Sequence, residues 1–309
     1  MVLILADVGG TNVRFATAQN GMIDPAGVRR YRNDNYASFD AALEDYVASE
    51  NIANVEALTV AVAGPVNGTK ARLTNRGWDF DTHALAEKHT NAAAFLLNDL
   101  SALGYALDSL GEEGAEVVLQ APANDQDQRL VVGAGTGFNV SPVLRAGDQT
   151  ICLRAEAGLC SLPSRVQKIM EDYIGGPAGW VRCAEDAVRG PGLAELHAAA
   201  TGTPKKDASE VMAAASSGDS AALASTMVYA RMLGAFVQDL RLLYMSGGGI
   251  YLAGSVVRGL LSSPARDTFI ETLHEQPTVK QTMQPVRVSV ITQDEAALLG
   301  CLAYARSVV

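Results

Sequence analysis

The fold of this chain is decided near its start, by the stretch Leu3-Ile4-Leu5-Ala6-Asp7-Val8-Gly9-Gly10-Thr11-Asn12-Val13-Arg14-Phe15-Ala16. Two apolar runs flank a polar tip with paired glycines, a pattern typical of a β-hairpin with a tight turn. Adjacent glycines let backbone N–H groups approach an anion closely, and Thr11 adds a hydroxyl donor. The turn therefore predicts a phosphate-binding loop made of Gly9, Gly10, Thr11 and Asn12, although an ordinary hairpin with a polar tip has the same pattern.

An acidic residue precedes this turn. Asp7 lies where the first apolar run ends. A carboxylate beside a phosphate is repelled unless a cation lies between them, so Asp7 predicts a Mg²⁺ site at the turn.

A similar device occurs further along the chain. Leu130-Val131-Val132 leads into Gly133-Ala134-Gly135-Thr136-Gly137, and a second apolar run, 138–144, follows. Aligning Thr11 with Thr136 gives an offset of 136 − 11 = 125 residues. This spacing predicts two similar α/β lobes, each offering a hairpin to one phosphate chain. The phosphate-binding residues expected in the second turn are Gly133, Gly135, Thr136 and Gly137.

Neither turn fits the common nucleotide-binding motifs. A Walker A loop needs a Gly-Lys-Ser/Thr helix start, which the turns lack. No Gly-x-Gly-x-x-Gly run is present either, which argues against a Rossmann dinucleotide site.

The totals narrow the classes of protein. The chain has 309 residues, which favours two domains, and its 48% hydrophobic and 19% charged residues indicate sizeable cores. A net charge of −10 offers no general attraction to nucleic acid or to an anionic membrane. The four cysteines are widely spaced, as in a reduced cytoplasmic protein. The four histidines are expected to be surface residues or to have side-chain partners. We expect no signal peptide and no apolar run long enough to span a membrane.

A second acidic position lies at a predicted strand end. The apolar run 94–97 ends in Asn98 and Asp99, and a helix is expected to follow over 100–109. Ligands of open α/β sheets sit at such carboxyl ends of strands, although Asp99 could also be only a helix N-cap. Beyond it, residues 111–128 are expected to form a polar loop, and the apolar stripe of residues 221–244, which includes Met227 and Leu243, to form a core helix.

Several motifs occur together in one order. They are Asp7-Val8-Gly9-Gly10-Thr11-Asn12, Leu97-Asn98-Asp99, Gly133-Ala134-Gly135-Thr136-Gly137, Glu156, Gly190-Pro191-Gly192-Leu193, Tyr251-Leu252-Ala253-Gly254 and Asp294-Glu295-Ala296-Ala297-Leu298-Leu299-Gly300. This ordered set resembles the bacterial glucokinase family, within the actin-like ATPase superfamily of hexokinases.

The resemblance implies a fold. It implies a two-lobed α/β chain of the actin-like ATPase (ribonuclease H-like) type, each lobe a mixed sheet flanked by helices, with the active site in the interlobe cleft. The small lobe is expected over 1–97 plus 297–309, and the large lobe over 98–296.

The resemblance also implies site residues. Asp99 matches the general base that accepts the proton of the sugar hydroxyl, and Asn98, Glu156 and Glu185 match ligands of sugar hydroxyls. The two turns match the phosphate loops, and Gly254 with Ser255 matches part of the adenosine loop. ATP with Mg²⁺ is the implied phosphoryl donor, and Asp7 is the expected metal residue.

The chain departs from the family pattern in the sugar loop, in the nucleotide loop, where Gly254-Ser255 replaces a Gly-Gly pair, and after the second turn. The family's sugar loop reads Gly-Glu-Gly-Gly-His, whereas this chain has Ala155-Glu156-Ala157-Gly158-Leu159. Leu159 removes a hydrogen bond to the sugar, which weakens glucose as the substrate. Asn139 replaces a glycine after the second turn, a mild change if the position needs a positive φ, which asparagine tolerates.

The leading function is therefore ATP-dependent phosphorylation of a hexose, with glucose as the first choice. The alternatives are a kinase for another hexose or a modified sugar, a sugar-binding regulator without catalysis, and an ATPase clamp of the actin or chaperone type. The family implies a homodimer, whereas the cysteine usage predicts a cytoplasmic protein and the net charge predicts no nucleic-acid or membrane partner.

Overall fold

The computed structural model describes residues 2–74, 76–90, 93–111, 113–122, 128–275 and 285–308. The strands are β1 (Val2–Val8), β2 (Asn12–Gln19), β3 (Met22–Ile23), β4 (Arg29–Arg32), β5 (Val55–Val62), β6 (Val66–Asn67), β7 (Lys70–Arg72), β8 (Asp79–Asp81), β9 (Ala93–Asn98), β10 (Ala115–Leu119), β11 (Arg129–Ala134), β12 (Phe138–Ala146), β13 (Gln149–Cys152), β14 (Gly249–Ala253) and β15 (Val288–Ile291). The helices are α1 (Phe39–Ser49), α2 (Thr82–His89), α3 (Asp99–Ala106), α4 (Ser164–Ile174), α5 (Ala184–Val188), α6 (Gly190–Thr201), α7 (Ala208–Ser216), α8 (Ser220–Tyr244), α9 (Ser255–Leu261), α10 (Arg266–His274) and α11 (Ala296–Val308).

The chain divides into two compact units. Unit 1 comprises Met1–Gly114, Gln149–Cys152 and Gln293–Val309, and unit 2 comprises Ala115–Asp148 and Leu153–Thr292. Residues 98–114 were expected in the large lobe and lie in unit 1.

The main sheet of unit 1 is built on the predicted first hairpin. Its strand order is β3-β2-β1-β5-β9, and β4 also pairs with β2. β1 is antiparallel to β2, as the hairpin pattern predicts, and parallel to β5, which is parallel to β9. A second, smaller sheet has the order β6-β7-β8.

Helices cover both faces of this main sheet. Side chains of β1 alternate between them: Ile4, Ala6 and Val8 pack in the cluster that includes α1, whereas Leu3 and Leu5 pack with α3 and α11. On the second face α3 and α11 touch closely, because a Cβ atom on Gly300 would lie 1.7 Å from the carbonyl oxygen of Ala102. Gly300 therefore fixes the position of α3, whose first residue is Asp99.

The sheet of unit 2 repeats the same connectivity. Its strands run in the order β10-β15-β14-β11-β12. β11 is antiparallel to β12 and parallel to β14, and β14 is parallel to β15. In strand pairing, β11-β12-β14-β15 therefore corresponds to β1-β2-β5-β9, and the prediction of two similar mixed α/β lobes is confirmed at this level.

The helix α8 is the centre of the core of unit 2. It contacts α4, α6, α7 and α10. By length and composition α8 could cross a membrane, which contradicts the expectation that no apolar run is long enough. However, 61% of its apolar 18-residue stretch is buried within the protein. That burial identifies it as a core helix. Two residues of its predicted core stripe are nevertheless exposed, Met227 at 40% and Leu243 at 70%.

One further expectation is wrong. The polar loop expected over 111–128 contains the strand β10, which pairs with β15; residues 112 and 123–127 lie outside the described residues.

Among the histidines, His197 is buried and has a side-chain partner. Its Nδ1 lies 2.9 Å from the hydroxyl of Ser225.

Candidate active site

The first glycine turn is held in place by a buried asparagine. Gly9 N–H donates to the carbonyl oxygen of Asn12 at 2.9 Å and closes the turn. The amide nitrogen of Asn33, which is fully buried, donates to the carbonyl oxygens of Gly9 at 2.8 Å and Gly10 at 3.1 Å. The backbone N–H of Asn33 also donates to the carbonyl oxygen of Thr11 at 2.9 Å. Because the carbonyls are bound from this side, the turn has one fixed shape.

Asp7 points from the end of β1 toward its neighbour strand. Its Oδ2 lies 3.2 Å from Nη1 of Arg14, and 18% of its side chain is exposed. The two residues face each other directly in the register of β1 and β2. Burial raises the pKa of Asp7, and the Arg14 charge opposes that rise only in part.

Asn98 and Asp99 lie where β9 ends and α3 begins. The Asn98 side chain caps α3 by accepting from Leu100 N–H at 3.0 Å, and its Nδ2 donates to Gly64 O at 3.1 Å. Asp99 Oδ1 accepts from Leu100 N–H at 2.9 Å. In the described part of the chain no cation forms an ion pair with Asp99.

Asp99 carries a strongly perturbed carboxyl group. Burial raises its pKa to about 7, and the negative charge of Asp7 contributes to the rise, while the hydrogen bond from Leu100 N–H opposes it. A carboxyl group that titrates near neutral pH is suited to accept a proton.

The second turn is fastened mainly by backbone groups. Gly135 N–H donates to Gly137 O at 2.9 Å, and Gly190 N–H, at the start of α6, donates to Gly135 O at 2.8 Å. Gly133 pairs with Asn139 in the register of β11 and β12, and Thr136 lies at the tip. The turn is one residue shorter than the first, because the last register pairs leave residues 135–137 open here and 9–12 there.

Gly254 and Ser255 lie next to this second turn. Gly254 has a φ of 105°, and a Cβ atom there would lie 2.3 Å from the carbonyl oxygen of Ala134. Only glycine fits this conformation and this close approach. The backbone nitrogen and Oγ of Ser255 lie 3.8 Å from the Cβ position of Gly135, so the expected adenosine loop and second phosphate loop are neighbours.

Glu185, in the first turn of α5, is directed at the second turn. Its Oε2 accepts from Phe138 N–H at 2.9 Å, and its Oε1 lies 3.7 Å from Nη1 of Arg189. Arg189 also donates to the buried carboxylate of Asp186 at 3.1 Å. The hydrogen bonds from Arg182 to Asp186 hold the pKa of Asp186 below its usual value.

Glu156 is exposed and lies close enough to Glu185 to respond to its charge. Burial raises the pKa of Glu156, and the charge of Glu185 adds to the rise. Oε2 of Glu156 accepts from the side-chain amide of Asn139 at 3.0 Å. Asn139 lies in β12 and does not have a positive φ, so the expectation that asparagine substitutes for glycine through its tolerance of positive φ is wrong.

The residue that replaces the family's histidine is turned outward. Residues 157–159 form a short 3₁₀ turn, and 66% of Leu159 is exposed. An apolar side chain of this size therefore borders the loop of Glu156 where a hydrogen-bonding ring was expected.

The volume of a cavity does not by itself mark the site. A cavity of about 820 Å³ in unit 1 is lined by side chains of α1, α2 and the small sheet, among them Phe39, Trp78 and Lys88. It includes none of the predicted site residues. Lys88, one of the charged residues that line the cavity, is paired with Asp40 and Glu44.

The carboxylates of unit 1 fit a Mg²⁺ ion better than a zinc-type site. Among the described residues there is no group of three His, Cys, Asp or Glu side chains arranged to hold a metal. Mg²⁺ bound with a nucleotide needs only one or two carboxylates, because waters and phosphates complete its shell. Burial raises the pKa values of Asp7 and Asp99, and the charge of Asp7 adds to the rise at Asp99, so a cation beside these two carboxyl groups would favour their ionised forms.

Four residues that contact the first turn or the predicted acidic side chains were not predicted from the sequence: Asn33, Arg14, Asn139 and Arg189. The pairing of Arg14 with Asp7 follows from the register of a hairpin and could have been found. The contact of Asn33 with the first turn spans 24 residues to Gly9, and a single sequence carries no signal for it.

Comparisons with known proteins identify the family of the chain. The sequence profile of the family described as Glucokinase matches residues 4–308. A glucokinase of Rhizobium leguminosarum bv. trifolii (strain WSM2304) is 27% identical over 312 residues, covering 98% of this chain and 91% of that protein.

Solved structures show the same fold. A glucokinase from an Antarctic psychrotroph superposes with a TM-score of 0.82 at 24% identity, over 99% of both chains. A ROK family glucokinase from Streptomyces griseus, solved in complex with glucose and AMPPNP, has a TM-score of 0.66 at 20% identity, over 99% of this chain and 100% of that one. The chain thus has the same fold as these two structures. The chain belongs to the bacterial glucokinase family and is a sugar kinase, a phosphotransferase with a hexose as acceptor and ATP as co-substrate.

Proposed function

We propose that this enzyme transfers the γ-phosphoryl group of ATP to the 6-hydroxyl of a hexose, with glucose as the first choice and Asp99 as the general base. The observation that carries the proposal is the Asp99 carboxyl, whose pKa is raised to about 7 at the start of α3. With that pKa about half of the carboxyl groups are ionised at pH 7, and the carboxylate is basic enough to take a hydroxyl proton during the transfer.

The proposed reaction has one chemical step. The carboxylate of Asp99 accepts the hydroxyl proton while the hydroxyl oxygen forms its bond to the γ-phosphorus. The bond between that phosphorus and the β,γ-bridging oxygen breaks, and ADP leaves. Most of the acceleration in such transfers comes from positioning and charge stabilisation, and the general base contributes about 10²–10⁴-fold.

The remaining residues bind the two substrates. Asn98, Glu156 and Glu185 would hold sugar hydroxyls, because amides and carboxylates each accept or bridge hydroxyl groups in fixed geometry. Gly9, Gly10, Thr11 and Asn12 would bind phosphate oxygens from one turn, and Gly133, Gly135, Thr136 and Gly137 from the other. Gly254 and Ser255 would border the adenosine.

Asp7 is the residue proposed to hold Mg²⁺. When bound with ATP, the ion supplies positive charge that offsets the phosphates and the carboxylates of Asp7 and Asp99. Arg14 fixes the Asp7 carboxylate at the end of β1 through its 3.2 Å contact.

A second acceptor has a specific observation in its favour. Leu159 is 66% exposed beside the loop of Glu156, where the family pattern has a hydrogen-bonding histidine. An apolar side chain there would suit another hexose or a modified sugar with a less polar substituent. Leu159→His is then expected to improve kcat/KM for glucose, and no gain would favour the modified acceptor.

A panel of hexoses with ATP and Mg²⁺, read by ADP formation in a coupled assay, tests the proposal. We expect transfer to at least one hexose, and the highest kcat/KM identifies the acceptor. A protein that binds a sugar without transferring phosphate to any member of the panel would instead be a sugar-binding regulator. The glucose and AMPPNP bound to the Streptomyces griseus glucokinase make glucose and ATP the natural starting pair.

We further propose a cytoplasmic homodimer without nucleic-acid or membrane partners. The net charge of −10 supports the absence of such anionic partners. Light scattering of the purified enzyme at several concentrations tests the dimer, and a mass of one chain throughout would reject it.

A further inference from the structure

The side chain of Asn139 makes four hydrogen bonds around the loop of Glu156. Its Nδ2 donates to Ala155 O at 2.7 Å and to Glu156 Oε2 at 3.0 Å. Its Oδ1 accepts from Val140 N–H at 2.8 Å and from Ala157 N–H at 3.1 Å. Two donors and two lone pairs are the full capacity of an asparagine amide, so the side chain is completely engaged.

The orientation of this amide is determined by its neighbours. Two backbone N–H groups face Oδ1, and a carbonyl and a carboxylate face Nδ2. Rotating the amide by half a turn would place donors against donors and acceptors against acceptors. The N–H group directed at Glu156 is therefore fixed.

We propose that Asn139 is a positioning residue for sugar binding, which clamps residues 155–157 and holds the Glu156 carboxylate in one place. The inference rests on the proposed role of Glu156 as a sugar ligand. The resembled family has glycine at this position and glycines on both sides of the glutamate, where this chain has Ala155 and Ala157. The clamp is thus a feature of this chain, added where the loop has also lost its histidine.

The clamp acts on charge as well as on position. The negative charge of Glu185 repels that of Glu156. Partial burial of the Glu156 carboxyl group, together with this repulsion, raises the pKa of Glu156. The N–H of Asn139 acts in the opposite direction, because a donor stabilises the ionised carboxylate. A carboxylate fixed in this way accepts hydroxyl hydrogens from a narrow set of positions, so Asn139 also restricts which hexoses bind.

Asn139→Asp tests both effects in the full-length enzyme. The aspartate keeps acceptors for Val140 and Ala157 but loses both donors and adds a like charge beside Glu156. We expect KM for the hexose to rise by about fivefold or more, as for an exposed hydrogen bond to a charged group. KM for ATP and kcat should change less than twofold. The rise in hexose KM that follows protonation of Glu156 at low pH should begin at a higher pH in the variant.

A titration without substrate reads the same contact directly. The ¹³C carboxyl signal of Glu156, assigned by its loss in Glu156→Gln, should titrate at higher pH in Asn139→Asp than in the wild type. Ser141→Ala is the matched control, since Ser141 lies in the same strand and its hydroxyl donates to Leu153 O at 3.1 Å, outside the loop. It should leave both the titration and KM for the hexose unchanged.

The outcomes separate this inference from the proposed function. If Glu156→Gln raises hexose KM and Asn139→Asp changes neither KM nor the titration, the clamp is overturned alone. If Glu156→Gln leaves KM unchanged for every hexose, the sugar-binding role of Glu156 fails, and the inference fails with it. Equal losses of stability in Asn139→Asp and Ser141→Ala with no pH effect on KM would reduce Asn139 to a structural residue and overturn the inference.

Discussion

The acidic groups of the two units are held in contrasting ways. In unit 1, Asp99 receives a hydrogen bond from Leu100 N–H but is partly buried near the charge of Asp7, and its pKa rises to about 7. In unit 2, the Glu185 carboxylate accepts a hydrogen bond from Phe138 N–H and lies near the guanidinium group of Arg189. Glu156 lies between these extremes, because its pKa is raised but Asn139 donates to it.

The difference suggests a division of labour. In the proposed roles, Asp99 accepts the proton, whereas Glu156 and Glu185, which accept N–H donors, anchor hydroxyl groups. Unit 1 would then supply the general base together with one sugar ligand, Asn98, and unit 2 the two glutamates that orient the sugar.

The largest expected effect comes from Asp99→Asn. The amide keeps an acceptor for Leu100 N–H but cannot take a proton, so kcat should fall by about 10²–10⁴-fold while sugar affinity stays within a few-fold. Equilibrium binding of the sugar and steady-state turnover measure the two quantities. Glu185→Gln is the counterpart, and it should raise hexose KM more than it lowers kcat. Near-normal turnover in Asp99→Asn would remove the division of labour.

The two glycine turns offer the next test. A Cβ atom on Gly9 would come no closer than 3.5 Å to Asn12 O, and one on Gly135 no closer than 3.8 Å to Ser255. Neither glycine has a positive φ. The fold therefore tolerates alanine at both positions, and the open space there is available to phosphate oxygens.

Gly9→Ala and Gly135→Ala should each raise KM for ATP by about tenfold or more, because a methyl group displaces a charge-assisted hydrogen bond. The melting temperature should not fall. Gly137→Ala is the contrasting variant, since its Cβ would also lie 3.1 Å from Glu185 Oε2, so it should raise KM for the hexose as well as for ATP. An unchanged KM for ATP in both Gly9→Ala and Gly135→Ala would mean that these glycines do not bind phosphate.

The sequence was sufficient for the hairpins and the repeat, because glycine turns and apolar runs are local patterns. It also located Asn98 and Asp99 at a strand end, which follows from where a parallel strand stops. It could not predict that no described residue forms an ion pair with Asp99, since that depends on what packs around α3. Asn139 shows the same limit, because three of its four partners lie 16 to 18 residues away and only the folded loop brings them to one amide.

A smaller effect is expected at the support of the first turn. Asn33→Asp keeps the size of the side chain but cannot donate to the carbonyl oxygens of Gly9 and Gly10. We expect a loss of about 1–3 kcal/mol in the free energy of unfolding and a several-fold rise in KM for ATP. Urea unfolding and initial rates measure these changes. Among the described residues the carbonyl oxygen of Gly135 in the second turn accepts from Gly190 N–H and from no side chain. Because the Asn33 side chain donates to the first turn, Asn33→Asp should leave hexose KM unaffected. A rise in hexose KM equal to that for ATP would show that the support is not specific to one turn.

The smallest effect concerns stability and its dependence on pH. The pKa of Asp99 in the folded protein, about 7, lies above its ordinary value of 3.8, so the folded state binds the proton more tightly. The stabilisation that protonated Asp99 provides is complete below the ordinary pKa and is lost as pH rises through 7. Asp99→Asn should therefore be more stable than the wild type at pH 8, by about 1–2 kcal/mol after allowance for solvent screening, and nearly equal to it at pH 4. Taking the difference between the two proteins cancels Asp186, whose lowered pKa gives the opposite dependence. Urea unfolding of both at the two pH values measures this, and a constant difference would mean that the Asp99 carboxylate is compensated after all.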